Sequence, residues 1–296
     1  MSFKIFGIGE VLWDLLPTGK QLGGAPANFA YHAQALGADA RLISRVGNDS
    51  LGREILARLK SLGMAMDGIG IDDTSPTGTV SVDLSADGQP HFTIHENVAW
   101  DRLTADDNTR RALADADAVC FGSLAQRLEP ARSSIRSLVS AAPPDSLRIF
   151  DINLRQQFYS KEVIRTSLEQ ANVLKLNHDE LPVLGKLLGL DGDINRQLAE
   201  LGDRYQLRLV VLTRGAGGSL LYARGRWSEQ AGLHVEVKDT VGAGDAFTAA
   251  VAMGLLAGWD LDLINRRANE LAAYVCSCPG ATPALPAQLR WFAQGE

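Results

Sequence analysis

Along most of the chain, short apolar and β-branched runs alternate with stretches whose apolar residues recur every three or four positions. Residues 3–9 read as a buried strand. Residues 26–36 follow a helical period, with Phe29, Ala33 and Leu36 on one face, Pro26 in the first turn and Gly37 as the stop. A strand at 41–46 and a helix at 51–62, closed by Gly63, repeat the unit. Further strands fall at 118–121, 147–150, 173–176 and 209–212, with helices between them at 103–114, 161–170 and 179–188. This alternation predicts an α/β fold with a mainly parallel central sheet flanked by helices.

One stretch breaks the pattern. In 78–84, Val80, Val82 and Leu84 alternate with polar residues, Asp87-Gly88 is a hairpin turn signal, and 89–95 reads as the return strand. Residues 11–21 look like a second, shorter piece of extended structure, and 233–237 like a late β run. No linker, low-complexity run or repeat interrupts the chain. The expected organisation is therefore one α/β domain over 1–296 with a small β lid built from residues 11–22 and 78–97. An isolated hairpin is marginal in water, so pairing with a second copy, a homodimer through the lid, is expected.

Composition narrows the function. The 296 residues are 46% hydrophobic and 22% charged, which excludes disorder, collagen-like and disulfide-scaffold classes. A net charge of −6 argues against a nucleic-acid partner and means that any phosphate must be held by backbone dipoles or a bound cation. Three cysteines, two of them at Cys276 and Cys278, make no disulfide framework and fit a reducing, cytoplasmic setting. Residues 1–4 carry no targeting pattern, and the longest apolar-rich stretch, 246–259, falls short of the roughly 20 residues of a membrane span.

The candidate chemistry centres on Asp239-Thr240-Val241-Gly242-Ala243-Gly244-Asp245-Ala246-Phe247. Gly242 and Gly244 allow a tight turn that approaches a ligand closely. The helix that follows offers unpaired N–H groups and a positive dipole end to an anion. Asp245 sits at that helix start, where the ionised form is expected to be favoured. A generic Gly-x-Gly-Asp turn also reads as an ordinary turn with a stabilising helix N-terminal acid.

The full nine-residue run, however, resembles the C-terminal signature of the PfkB carbohydrate kinases, in the ribokinase-like superfamily. The likeness extends along the chain in family order. Gly7-Ile8-Gly9-Glu10 with Asp14 is similar to the first strand and sugar-contacting aspartate. Gly23-Gly24-Ala25-Pro26-Ala27-Asn28 is similar to the N-terminal glycine motif, and Asp151-Ile152-Asn153-Leu154-Arg155 to Asp-x-Asn-x-Arg. Asn177-His178-Asp179-Glu180 matches Asn-x-x-Glu, and Thr213-Arg214-Gly215 followed by Gly217-Gly218 matches the nucleotide loop. The first two motifs look closest to the fructokinase branch.

The resemblance implies transfer of the ATP γ-phosphoryl group to a sugar hydroxyl, with Mg2+ and in some members a monovalent cation such as K+. It makes Asp245 the base and Gly242, Ala243 and Gly244 the anion hole. It places Asp14, Gly23, Gly24, Asn28, Arg155 and the lid residue His95 at the sugar. It assigns Asn177, Thr213, Gly215 and Asn269 to the nucleotide, Glu180 to magnesium through water, and Asp239 to the monovalent cation. Other readings stay open at this point. Asp14 also suits a turn, Asn28 a first-turn polar residue and Arg155 a surface ion pair. The substrate is expected to be fructose, with ribose, 2-keto-3-deoxygluconate or a nucleoside as alternatives, and a catalytically silent binding protein as a different class. A P-loop is missing, since Gly19-Lys20 and Gly185-Lys186 lack its remainder, and Gly7-Ile8-Gly9 lacks the third glycine of a dinucleotide fingerprint.

Overall fold

The computed structural model describes residues 2–17, 19–84 and 90–292. The Asp87-Gly88 turn signal lies outside them. In chain order the elements are β1 (Lys4–Ile8), β2 (Leu12–Leu16), β3 (Gly19–Gly23), α1 (Ala25–Ala35), β4 (Asp39–Gly47), α2 (Ser50–Ser61), β5 (Ile69–Asp72), β6 (Thr79–Leu84), β7 (Pro90–Ile94), α3 (Asp107–Leu113), β8 (Ala118–Phe121), α4 (Ala131–Ala141), β9 (Leu147–Asp151), α5 (Lys161–Gln170) and β10 (Val173–Asn177). They continue with α6 (Glu180–Leu188), α7 (Ile194–Arg204), β11 (Leu209–Thr213), β12 (Ser219–Ala223), β13 (Arg226–Gln230), α8 (Ala243–Leu256) and α9 (Leu261–Cys276).

Among the described residues the main sheet has the order β13-β12-β11-β10-β9-β8-β1-β4-β5. It is parallel from β5 to β11 and antiparallel at β12 and β13. Strand β1 has β4 on one side and β8 on the other, so the winding reverses there. In open parallel sheets such a reversal leaves a crevice at the carboxyl ends of the strands. A separate small sheet has the order β3-β2-β6-β7. The extended stretch at 11–21 is thus the hairpin β2–β3, and β6 and β7 pair antiparallel as the alternation predicts.

Alternation along the strands sorts side chains into two helix layers. Ile5, Ile149, Val173, Leu209 and Val211 pack with Phe29 of α1 and with the buried faces of α8 and α9. Phe6, Ile8, Phe150, Leu174, Leu176, Val210 and Leu212 pack under α4 to α7. Helix α8 is apolar nearly all round because it is covered by the sheet, α1 and α9. A third cluster joins Trp13 and Leu22 of the small sheet to Tyr31, Ile55 and Leu59.

Two sequence expectations change. The helix expected at 103–114 starts only at Asp107, because the Asp106 carboxylate caps Thr109 N at 2.7 Å. The β run expected at 233–237 forms no strand; the sheet ends at β13, and Leu233 and Val237 stay exposed. The two residues that follow it close helix α9, with Lys238 and Asp239 N–H groups donating to Cys276 O.

Phe121 and Phe150 stack at 5.3 Å between adjacent parallel strands, both buried. Phe150→Ala is expected to lower unfolding free energy by about 3–5 kcal/mol in urea titration, the usual cost of such a cavity. A loss under about 1 kcal/mol would mean that this layer does not hold the sheet to its helices.

Candidate active site

The carboxyl ends of β1, β9, β10 and β11 and the amino ends of α1 and α8 converge on one crevice. Helix α8 begins at Gly242, whose φ of 79° is left-handed, and a Cβ there would lie 2.6 Å from Ala281 O. Only glycine turns the chain at that point. The first N–H groups of α8 are thereby presented to the crevice without intrahelical partners.

Under that helix start lies a buried ion pair. Lys175 and Asp151 fall one pleat beyond Val173 and Ile149, so the same alternation aims both at α8. Lys175 Nζ donates to Asp151 Oδ1 at 3.0 Å, and Thr248 Oγ1 donates to Asp151 Oδ2 at 3.0 Å. A Cβ on Gly244 would stand 3.1 Å from Lys175 Nζ, so the ammonium touches the glycine turn. Burial opposes the charge of Lys175, but Asp151, Glu180 and Asp245 outweigh it and hold the ammonium above the usual lysine value.

Asp245 lies beside this pair, half-buried, and its Oδ2 accepts Asn28 Nδ2 at 2.9 Å. Its carboxyl is raised to about 6 by burial first and Asp151 next, against Lys175, Asn28 and Arg155. The pull of the helix start toward the ionised form is thus outweighed in direction, while the carboxylate still prevails above about pH 6. Loss of water and a neighbouring carboxylate outweigh the dipole, leaving a stronger base.

The small sheet supplies the opposite wall. Asp14 on β2 has its carboxyl raised to about 6 by burial, against Arg155. Its Oδ2 would lie 2.3 Å from a Cβ on Gly23, so that glycine makes room for the carboxyl. Gly24 has φ 112° and would clash with Glu10 O at 2.4 Å. Arg155 is exposed and shares its charge among Glu10, Asp14 and Asp245. His95 ends the hairpin; its Nε2 meets Ser81 Oγ at 2.7 Å, and its carbonyl accepts Arg127 Nη2 at 2.6 Å. Arg127 is also bound twice by Asp101 at 2.8 Å and lies over the rings of Trp100 and Phe158, so the base of the hairpin is anchored in the core.

The remaining expected residues lie toward β10 and β11. Asn177 and Thr213 are register partners at the strand ends. Asn177 Oδ1 accepts Asp179 N and Glu180 N, while Glu180 Oε2 accepts Asn177 N and Oε1 accepts Leu154 N, each at 2.8 or 2.9 Å. The Asn-x-x-Glu motif is thus a reciprocal cap that ties the loop after β9 to helix α6. Gly215 adopts φ 55° in an open turn. Asp239 braces two turns, accepting Val241 N at 3.0 Å and Gly280 N at 3.1 Å. Asn269 is turned inward: its amide donates to Ser219 Oγ at 2.6 Å and to Asn265 O at 2.8 Å, inside a buried polar cluster. Its amide nitrogen is therefore committed to the interior and not to the crevice.

Asp14, Gly23, Gly24, Asn28, Arg155, Gly242, Ala243, Gly244 and Asp245 come together. Lys175, Thr248 and the carboxyl group of Glu10 were missed as site residues. A lysine inside the apolar run Val173-Leu174-Lys175-Leu176 was the available signal for the first.

A carboxylate beside a glycine-rich helix start, at the switch point of a parallel sheet, defines a site built for an anionic group next to a proton acceptor. Comparison with known proteins carries this further. Residues 17–288 match the pfkB family carbohydrate kinases, and the chain belongs to that family. It is 32% identical to a fructokinase of Klebsiella pneumoniae over 97% of both chains. It is 29% identical to a fructokinase of Solanum tuberosum, covering 97% of this chain and 94% of the other. Among solved structures, an uncharacterized sugar kinase of Pyrococcus horikoshii in complex with ATP matches with a TM-score of 0.82 at 30% identity, over 94% of each chain. A fructokinase of Vibrio cholerae O395 with bound fructose, ADP and calcium ion matches with a TM-score of 0.79 at 27% identity, over 96% of each. The ribokinase-like fold and the sugar-kinase class follow. Among the described residues no helix is long and apolar enough to cross a membrane.

Lys175→Met leaves Asp151 buried without its cation. A loss of about 3–5 kcal/mol in chemical denaturation is expected, as for other broken buried pairs. Unchanged stability would mean that the pair is not what seats α8.

Proposed function

We propose that the protein phosphorylates fructose at the expense of ATP. The observation that carries the sugar assignment is the charge of the crevice. Asp14 and Asp245 face one cation, Arg155, while Lys175 is already neutralised by Asp151. Such a wall suits a neutral polyol, whose hydroxyls donate to carboxylates, and repels a sugar acid. The fructokinase relatives and the Vibrio structure with fructose support the same choice.

In this reading Asp14 and Asn28 take the sugar hydroxyls, Gly23 and Gly24 let the chain pass close to the ring, and Arg155 balances the carboxylates. His95 stands at the mouth, on a small sheet that acts as the lid. Asp245 accepts the proton of the attacking hydroxyl. The N–H groups of Gly242, Ala243 and Gly244 hold the phosphoryl oxygens as charge develops on them. Asn177, Thr213 and Gly215 line the path of the nucleotide phosphates.

A magnesium ion would arrive with the nucleotide, as this ion commonly does. When bound, it supplies neutralisation of the phosphate charge. Glu180, with both oxygens on backbone N–H groups, would meet that ion through water. Asp239 and the Val241 carbonyl form the candidate seat of a monovalent cation. Exposed Phe92 on β7, at the edge of the small sheet, supports dimerisation there.

Turnover measured as ADP release is expected to be highest in kcat/KM for fructose among fructose, ribose, 2-keto-3-deoxygluconate and a nucleoside. A preference for the sugar acid would overturn the substrate assignment, and no phosphorylation of any of them the kinase reading. Asp245→Asn is expected to lower kcat by about 10²–10⁴-fold with little change in KM. Because the Asp245 carboxyl is raised to about 6, the base form prevails above that pH, and activity should fall as pH drops through it. Near-normal turnover of the variant would remove the base assignment.

A further inference from the structure

His32 is a fully buried imidazole on α1 that the reading above leaves unused. It stands one helical turn after Asn28, on the same face of α1. Asn28 reaches Asp245, and His32 Nε2 lies 2.9 Å from Ala281 O. A carbonyl oxygen can only accept, so the imidazole carries its proton on Nε2 and donates. Nδ1 is then bare, buried and without a hydrogen-bond partner among the described residues. Burial brings the imidazole down to about 4, against the pull of the Ala281 bond, so the ring is uncharged at neutral pH. An apolar residue would fill the space without leaving a buried nitrogen unpaired, so the bond to Ala281 is what a histidine adds at this position.

Ala281 is the residue that shapes the start of α8. A Cβ on Gly242 would lie 2.6 Å from Ala281 O and 2.8 Å from both its Cα and its Cβ. The turn that exposes the first N–H groups of α8 is therefore formed against this one residue. Residues 280–284, after α9, make a strap held by side chains along its length. Gly280 N donates to Asp239 Oδ2 at 3.1 Å, Tyr31 Oη to Pro283 O at 3.0 Å and Tyr274 Oη to Ala284 O at 2.8 Å. His32 holds the carbonyl against which Gly242 turns.

We propose that His32 is a positioning residue for the anion hole, which it sets by holding Ala281 against the Gly242 turn. The proposal rests on the reading of the Gly242, Ala243 and Gly244 N–H groups as that hole. One face of α1 then serves both halves of the reaction: Asn28 touches the proton acceptor, and His32 backs the phosphoryl site. Without the bond Ala281 is free to shift, the left-handed turn loosens and the N–H groups lose their common aim. The loss is felt most in the transition state, because those groups act on charge that develops there.

His32→Leu removes the donor, and His32→Gln offers an amide N–H in place of Nε2. With saturating ATP and the best sugar of the panel, His32→Leu is expected to lower kcat about 10–100-fold, the scale of a small misplacement at a reacting centre. The sugar KM should change little, since Asp14 and Asn28 are untouched, and His32→Gln should recover most of the lost kcat. Tyr31→Phe keeps the ring that meets His32 edge-on at 5.2 Å and frees Pro283 O from the same strap, and its kcat should match that of the native protein. Hydrogen exchange supplies a readout independent of turnover. The Ala246 N–H, which closes on Gly242 O at 2.9 Å, should exchange faster in His32→Leu and at the native rate in the other two variants. Should His32→Leu not fold, His32→Asn, whose amide is too short to reach Ala281 O, takes its place in each comparison. Equal losses of kcat in the Leu and Gln variants, a similar loss in Tyr31→Phe, a loss confined to the sugar KM, or native exchange at Ala246 in His32→Leu would each overturn the proposal. Absence of sugar phosphorylation by the native protein would instead overturn the kinase reading, and the exchange comparison would still report on His32.

Discussion

Everything at the crevice depends on the Asp151–Lys175 pair beneath helix α8. One oxygen of Asp151 holds Lys175 and the other holds Thr248, in the second turn of α8. The ammonium in turn meets the Gly244 turn from below. The helix start is therefore fixed on the sheet by charge, while α8's apolar body is fixed by packing against α1 and α9. A buried pair of this kind contributes little net stability compared with apolar residues, yet it cannot lose one member cheaply. Its use here is placement. It sets N–H groups without intrahelical partners, a cation and a carboxylate at one helix start.

The same placement resolves the opposition between a net charge of −6 and a phosphate-handling site. Lys175 is tied to Asp151, and Arg155 stands among acids whose charge offsets its own, so the crevice offers phosphate no concentrated positive charge. In the proposed reading recognition falls to the backbone, whose dipoles cost nothing to carry in an acidic chain and act only at close range. A site that works in this way repels anions in general and accepts one that arrives with its own counter-cation.

Much of this was legible in the residues because it rests on local rules. Glycine at 242 answers a left-handed turn, Pro26 a first helical turn, and the apolar runs at 147–150, 173–176 and 209–212 a sheet buried on both faces. What escaped depends on contacts between distant segments. Nothing near Lys175 in sequence names Asp151, and nothing near Asn269 names Ser219, which takes its amide. Residues 233–237 have the alternation of a strand and no strand beside them to pair with. The family resemblance assigns Asn177 to the nucleotide and Glu180 to magnesium, and the structure also gives their spacing a backbone use, as a reciprocal cap.

Asp245 shows why position along a helix does not decide acid strength. At the start of α8 the dipole favours the carboxylate by the fraction of a pKa unit that an exposed terminus provides. The structure half-buries the same side chain, sets Asp151 beside it and offers Asn28 and part of Lys175 and Arg155 as compensation. Desolvation wins, because it acts on the whole charge while the dipole acts on a partial one. A helix terminus therefore tells where an acid will sit. The carboxylate that tertiary packing sets beside it decides how strong a base it can be, and in this fold that carboxylate is Asp151 of strand β9, more than ninety residues upstream of α8.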